Sequence, residues 1–260
     1  MIRLMLLVLM LLVLIFLLSC FFYSYYNPYE TFDDGLWSNE VIIKQNTEKK
    51  QKCTAFDRIR QERAMRALSA WIQFANRYKI KYWLTFGTLL GSVREGGFLP
   101  QDSDVDVMIK AEDTKELSLL SSTNFSSIYV LNVQPQWQII NIWERKYARK
   151  IGINFIAPNA RIVHRKHKNY LDIWPAYELQ PENSRVIGNS TKTLSQLNKS
   201  YKLISMPMEW TFPLKSCEFS GLKVWCPAMP EKILTVFYGE KALNKSDKVC
   251  VNAKWIRNKI

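Results

Sequence analysis

The first pattern along the chain is an apolar run at residues 4–22 that carries no charged side chain. A helix of this length, at about 1.5 Å per residue, nearly spans the ~30 Å hydrocarbon core of a bilayer. Arg3 and the amino terminus precede the run and acidic residues follow it, which favours a cytosolic N-terminus and a lumenal remainder. We therefore predict that residues 1–22 form a cytosolic tip and a transmembrane anchor. The alternative is a cleaved signal peptide, although its apolar core is usually shorter, at about 7–15 residues.

After this run, the spacing of apolar and polar residues predicts a stem followed by one folded domain. Residues 23–53 are polar and contain turn-forming pairs, whereas residues 54–260 carry repeated apolar patterns. The domain opens with helical spacing up to about residue 79, and Thr54 and Asp57 form a capping pair at its start. The other predicted elements are strands at 82–86, 127–133, 137–143, 161–164 and 170–174, helices at 89–94, 113–121 and 231–238, a hairpin before the last helix, and an insertion or long loop at 175–206. This mixture predicts an α+β domain with a mixed sheet flanked by helices.

An alternation of acidic and apolar residues at positions 101–109 is the strongest chemical signal. Asp104 and Asp106 are two residues apart, so in a strand both side chains leave the same face, and Asp102 joins them if the strand extends far enough. Carboxylates this close repel one another, and a divalent cation between them offsets that repulsion. Oxygen ligands favour Mg²⁺ or Mn²⁺ over zinc. The alternative interpretation is a solvated edge strand with alternating Asp residues.

Two neighbouring segments support a phosphate site. Gly87 and Thr88 follow a predicted strand and precede a helix, where a glycine allows close backbone approach and free N–H groups can bind phosphate. Asp172 lies in the apolar segment 170–174, so it could be a third metal ligand or a base, or it could pair with a nearby Lys or Arg. Arg94 and Lys81 are candidate phosphate contacts or ordinary surface charges. Tryptophans 83, 137 and 174 are interpreted as core residues.

This arrangement resembles polymerase-β-like nucleotidyltransferase domains, and a longer motif makes the resemblance more specific. Residues 82–106 read YWLTFGTLLGSVREGGFLPQDSDVD. The segment resembles the signature of the LicD family, which includes fukutin and fukutin-related protein, with the approximate pattern W-L-x-x-G-T-L-L-G, R-x-G and P-W-D-x-D-x-D. Similar residues recur towards the end of the chain, so the resemblance covers about residues 60–240 discontinuously. Gln101 is a departure, because the family has Trp before the first Asp.

The resemblance implies a transferase that moves a phospho-alcohol, such as phosphocholine or ribitol phosphate, from a CDP-activated donor to a glycan hydroxyl. It implies that Asp104 and Asp106 hold Mg²⁺ or Mn²⁺ on the donor diphosphate, with Asp102 close by, and that Asp172 ligates metal or accepts the proton of the acceptor. Gly87, Thr88 and Arg94 are the predicted donor-binding residues. A metal would offset the charge that develops on the leaving nucleotide.

Cysteines and glycosylation motifs agree with a lumenal domain in the Golgi or the ER. Four Asn-x-Ser/Thr motifs begin at positions 124, 189, 198 and 244. Four cysteines follow the apolar run and can pair in three ways. We predict Cys217–Cys226, which would close a short hairpin, and Cys53–Cys250, which would tie the ends of the domain together. A zinc site is a poor alternative, because the sequence has no short Cys-x-x-Cys pair.

The net charge of +13 fits a nucleic-acid, anionic-lipid or phosphorylated partner, and the alternative is a solvated basic surface without a binding role. No standard nucleic-acid motif accompanies the basic residues, so we predict no nucleic-acid partner. The predicted partners are a CDP-linked donor, a glycan or glycoprotein acceptor and the membrane, and an oligomer is compatible with the sequence. Two other functions stay open: a non-catalytic family relative that binds glycans or scaffolds another transferase, and a basic lumenal binding protein without a nucleotide site.

Overall fold

The structure is a computed structural model that describes residues 53–121, 126–134, 158–178, 185–186, 193–197 and 203–258. Within these ranges, no helix combines the length and the apolar character needed to cross a membrane. The predicted anchor at residues 1–22, nearly all of the predicted stem and the predicted strand at 137–143 lie outside the described residues.

The first helix, α1 (Ala55–Arg77), confirms the predicted capping pair. The Thr54 Oγ1 accepts a hydrogen bond from the Asp57 backbone N–H at 3.2 Å, and the Asp57 carboxylate accepts one from the Thr54 N–H at 2.9 Å. These two bonds satisfy donors that the first helical turn leaves free. The inner face of α1 buries Trp71 and Phe74 completely, and this burial holds the helix against the sheet.

The next three elements differ in extent from their predictions. Strand β1 (Trp83–Leu84) is shorter than predicted, and helix α2 (Phe86–Glu95) begins before Gly87 and Thr88 instead of after them. The chain turns sharply at Phe86, which has a positive φ of 48°. The acidic strand, β2 (Asp106–Lys110), begins at Asp106, because Asp102 is held in a turn by the bond from its N–H to the Leu99 carbonyl.

A five-stranded mixed sheet forms the centre of the domain, in the order β1-β2-β5-β4-β3. Only β2 and β5 pair in parallel, and the other neighbours are antiparallel. A short 3₁₀ turn and helix α3 (Thr114–Leu120) follow β2. The remaining strands are β3 (Tyr129–Val133), β4 (Ala160–His164) and β5 (Tyr170–Ala176). The prediction of a mixed sheet with helices is confirmed.

A second, three-stranded sheet replaces the loop that the sequence predicts at 175–206. Its strands are β6 (Arg185–Val186), β7 (Thr193–Leu197) and β8 (Leu203–Pro207), in the order β6-β8-β7. The loop prediction was wrong because polar residues of these strands are buried and paired: the hydroxyls of Ser195 and Ser205 contact each other across β7 and β8. Leu194 and Met206 provide the buried apolar contacts.

The C-terminal part consists of two hairpins around a helix. Strands β9 (Lys215–Phe219) and β10 (Leu222–Cys226) form the predicted hairpin, and helix α4 (Pro230–Tyr238) follows. A 3₁₀ segment (Glu240–Leu243) then leads to a hairpin of β11 (Lys248–Val251) and β12 (Lys254–Arg257), which the sequence did not predict. Both predicted disulfides, Cys217–Cys226 and Cys53–Cys250, are confirmed.

The two disulfides should differ in their contribution to stability because they close loops of very different length. The separations are 197 residues for Cys53–Cys250 and 9 residues for Cys217–Cys226. Chain entropy alone predicts a loss of roughly 5 kcal/mol in unfolding free energy for the Cys53→Ser/Cys250→Ser double variant and about 2–3 kcal/mol for Cys217→Ser/Cys226→Ser. Denaturant unfolding measures both values, and equal losses would contradict the loop-length account.

Candidate active site

Strand register brings two of the predicted acids together. Asp106, the first residue of β2, is paired with Asp172 of β5 in the parallel ladder. Residues at the same level of neighbouring strands point to the same face, so their carboxylates lie side by side, and the charge of Asp172 acts on Asp106. Here the structure agrees with the expectation that the fold brings Asp172 towards the acidic motif.

Asp102 lies against the first turn of α2 instead of on a strand. A Cβ atom added to Gly87 would stand 2.5 Å from the Asp102 Oδ2, which is closer than real contacts allow. The main chain of Asp102 is also held, because its carbonyl accepts a bond of 2.6 Å from Gln61 Nε2, a fully buried side chain of α1. The close approach that the sequence predicted at Gly87 is therefore made here by the Asp102 carboxylate.

Asp104 completes the cluster from the loop between α2 and β2. It is exposed, and its carboxylate lies within hydrogen-bonding reach of Asp102. Its charge also acts on Asp106 and Asp172. Four carboxyl groups from one loop and two strands therefore converge on one region. The sequence predicted this convergence from strand alternation, but the strand begins only at Asp106, so alternation does not place Asp102 and Asp104.

Contacts from α2 and β5 fix the position of Asp106. Its backbone N–H donates to the Thr88 Oγ1 at 2.8 Å, and its Oδ1 accepts a bond of 2.9 Å from the indole Nε1 of Trp174. Phe86 packs edge-on against Trp174, with ring centroids 5.2 Å apart. Thr88, predicted to bind the donor, is buried and holds the start of β2, and Trp174, interpreted as a core residue, contacts the candidate site directly.

Asp172 has a cationic partner, as one of the alternatives from the sequence proposed. Arg161 of β4 donates through Nε to the Asp172 Oδ1 and through Nη2 to the Oδ2 at 3.3 Å. The Arg161 guanidinium also stacks over the Tyr170 ring, 4.2 Å from its centroid. The sequence contained a signal for this pair: in a hairpin that turns at residues 165–168, Arg161 falls opposite Asp172.

The electrostatics of the cluster favour protonation when no cation is bound. Burial, together with the neighbouring Asp104 and Asp106, raises the pKa of Asp102 to about 8. Burial, with the charges of Asp104 and Asp172, raises the pKa of Asp106 well above its usual range. Burial also raises the pKa of Asp172, to about 6, against the lowering effect of Arg161. The four acids together therefore carry less than their full negative charge near neutral pH.

A magnesium site is compatible with this donor set if substrate completes it. Among residues 53–258, as far as they are described, no three His, Cys, Asp or Glu side chains are arranged to hold a metal ion by themselves. Mg²⁺ rarely needs such a cage, since it commonly binds one or two carboxylates together with water and substrate phosphates. The oxygen ligands and the mutual repulsion of the acids fit a hard divalent cation.

A cleft of about 430 Å³ opens beside the cluster. Gly87, Arg94, Gln101 and Asp102 line it, together with residues from the C-terminal part. The Oε1 of Gln101 is buried and has no hydrogen-bond partner among the described residues. Lys81, the other candidate phosphate contact, is exposed, interacts with Asp113 and does not line this cleft.

The mixed sheet, the strand–turn–helix at Gly87 and the carboxylates on adjacent strands have the arrangement of a nucleotidyltransferase domain. Residues 79–229 match the family described as LicD/FKTN/FKRP, nucleotidyltransferase domain. The match covers more than half of the chain, and the chain belongs to this family, which includes phosphotransferases.

Three similar proteins come from bacteria. An uncharacterized protein of Rickettsia prowazekii is 29% identical over 158 residues, which is 61% of this chain and 47% of that protein. An uncharacterized protein of Rickettsia typhi is 46% identical over 41 residues, covering 16% and 13% of the two chains. The lipopolysaccharide cholinephosphotransferase LicD of Haemophilus influenzae is 49% identical over 37 residues, covering 14% of each chain. The similarity therefore spans less than half the length of each relative.

The raised pKa of Asp102 predicts how stability depends on pH without metal. Its folded pKa of about 8 exceeds the ordinary pKa of an aspartate, 3.8, so the folded state binds more protons between these pH values, and stability falls as pH rises through them. In EDTA, the melting temperature of the wild type should therefore fall from about pH 5 to pH 8. Asp102→Asn should reduce that fall, whereas Glu116→Gln, at an exposed position, should not. Identical pH profiles for all three proteins would rule out a buried, proton-binding Asp102.

Proposed function

We propose that this protein is a metal-dependent transferase that moves a phospho-alcohol from a CDP-linked donor to a hydroxyl group of a glycan. The observation that carries the proposal is the convergence of Asp102, Asp104, Asp106 and Asp172 beside a cleft lined by basic residues. A divalent cation held by Asp104 and Asp106, with Asp102 close by, would offset the negative charge of the donor diphosphate.

In the reaction, the acceptor hydroxyl oxygen attacks the phosphorus that carries the alcohol. The bond from that phosphorus to the bridging oxygen of the diphosphate breaks, CMP leaves, and the hydroxyl proton passes to a base. Asp172 suits this role because its pKa of about 6 leaves it mostly ionised at neutral pH. The two hydrogen bonds from Arg161 orient the carboxylate, and the Trp174 indole holds Asp106 beside it.

The cleft provides the place for the donor. Its volume of about 430 Å³ falls within the range typical of small-molecule sites. Gly87 lines the cleft at the first turn of α2, where the helix dipole favours negative charge and where the Asp102 carboxylate makes the close approach. Arg94, a predicted donor-binding residue, lines the same cleft, and its Nε also pairs with the Glu95 carboxylate at 3.1 Å.

The name of the Haemophilus relative makes phosphocholine the first transferred group to test, with ribitol phosphate as the next. Two disulfides support an oxidising compartment. Together with the apolar run at residues 4–22, they support a single-pass type II protein whose catalytic domain faces the lumen of the Golgi or the ER.

Neutralising one acid of the cluster should lower the catalytic rate without lowering the stability of the fold, so the two effects can be measured separately. The detergent-solubilised full-length chain should release CMP from one member of a CDP-alcohol panel in the presence of Mg²⁺ or Mn²⁺. Asp104→Asn and Asp106→Asn should each lower this rate by at least ~100-fold, since a key electrostatic group is lost. Their melting temperatures should stay near that of the wild type, because the substitution removes a repulsive charge. Glu116→Gln is the control at an exposed acid and should leave the rate unchanged.

Two outcomes would count against the proposal. If the wild type turns over a donor and both variants do so equally well, the acidic cluster is not the catalytic site. If the folded wild type releases no CMP from any donor, the enzyme hypothesis is wrong. The alternative of a non-catalytic relative that binds glycans or scaffolds another transferase is then favoured.

A further inference from the structure

Four basic side chains of the C-terminal part line the cleft that also contains Gly87 and Asp102. We call Lys241, Lys245, Lys248 and Arg257 the basic wall. All four follow residue 229, the last residue that the family match covers. The carboxylates that line the cleft with them are those of Asp102 and Asp247. Positive charge therefore exceeds negative charge around the cleft.

The strand register leaves part of this charge uncompensated. Lys248 and Arg257 are directly paired in the β11–β12 hairpin, and residues so paired point to the same face. Like charges directly opposite each other destabilise a hairpin. An anion bound between them would offset this repulsion. No ion pair involving either side chain occurs among the described residues.

Arg94 provides an independent sign of a ligand. Its side chain is 9% exposed, and its Nη1 donates to the carbonyls of Ala242 and Lys245 at 3.1 and 3.0 Å. These bonds hold the segment that carries Lys241 and Lys245 against α2. The Nη2 atom of Arg94 is buried and has no partner within the described part of the chain, although the residue lines the cleft. A buried guanidinium N–H group without an acceptor favours an anionic ligand at that position.

Two connections fix the wall to the rest of the domain. The disulfide Cys53–Cys250 joins β11 to the residue before the N-cap of α1. The indole Nε1 of Trp255 in β12 donates to the buried Asp57 carboxylate at 3.2 Å. Lys248 and Arg257 therefore project from an anchored hairpin, and such a support reduces the entropy lost when a ligand binds.

From these observations we infer that the basic wall and Arg94 form a phosphate subsite that binds the diphosphate of the nucleotide donor. The inference rests on the proposed function for the identity of the donor. Phosphate oxygens would accept a hydrogen bond from the Arg94 Nη2, and their negative charge would offset the repulsion between Lys248 and Arg257. The C-terminal segment thereby completes the donor site of the family domain.

Calorimetric titration of the full-length chain in EDTA tests the subsite without metal or turnover. The ligands are CDP, inorganic pyrophosphate and cytidine, which lacks phosphate. The Lys245→Ala/Arg257→Ala double variant should bind CDP and pyrophosphate about tenfold more weakly and with a smaller salt dependence. Cytidine binding should not change. Lys254→Ala, on the same hairpin but outside the cleft, is the matched control and should behave as the wild type.

The charge-conserving Lys245→Arg/Arg257→Lys variant should retain most of the CDP affinity, which separates charge from any effect on folding. If the alanine variant is folded and binds CDP and pyrophosphate as tightly as the wild type, the inference is wrong, whereas the proposed function stands if the wild type still turns over its donor. If pyrophosphate binding depends on the wall but CDP binds no better than pyrophosphate, the phosphate subsite is supported and the CDP-linked donor is wrong.

Discussion

The repulsion among four carboxylates is the constraint on which the site depends. Asp102, Asp104, Asp106 and Asp172 come from a loop and two parallel strands, and burial together with their mutual charge raises the pKa of three of them. Neighbouring groups hold them in place in spite of this repulsion. Gly87 leaves room for Asp102, the Trp174 indole bonds to Asp106, and Arg161 pairs with Asp172. A site that concentrates like charges at this energetic disadvantage is suited to a cation and its phosphate-bearing ligand.

The basic wall complements this cluster across the same cleft. The acids sit in the family domain, whereas Lys241, Lys245, Lys248 and Arg257 belong to the segment after it. The Cys53–Cys250 disulfide and the Trp255–Asp57 bond connect that segment to the start of α1, so the first and last described elements of the chain support one cleft. In this account, carboxylates with a metal bind one side of a diphosphate and basic side chains bind the other.

Local signals predicted the elements whose chemistry is local. The capping pair at Thr54 and the Cys217–Cys226 pairing follow from short-range spacing, and the structure confirms both. Cys53–Cys250 joins residues 197 positions apart, and the structure confirms it as the predicted tie between the ends of the domain. The predicted extent of β2 was wrong because a turn at Asp102 competes with extended backbone. A local bond to Leu99 and a long-range bond from Gln61 hold this turn. The sheet of β6, β7 and β8 was not predicted because its Ser residues, which are buried and paired, are typical of loops. The basic wall could not be predicted either, since its position depends on long-range bonds from Trp255 to Asp57 and from Arg94 to the segment that carries Lys241 and Lys245.

The central claim is that the acidic cluster binds a divalent cation jointly with the phosphates of the donor. Titration of Mn²⁺ followed by electron paramagnetic resonance, with and without CDP, measures this coupling directly on the full-length chain. Because the described acids form no complete metal site, the account predicts weak Mn²⁺ binding alone and binding at least about tenfold tighter with CDP, with the gain lost in Asp104→Asn and Asp106→Asn. Mn²⁺ affinity that CDP leaves unchanged, or that survives both substitutions, would contradict it.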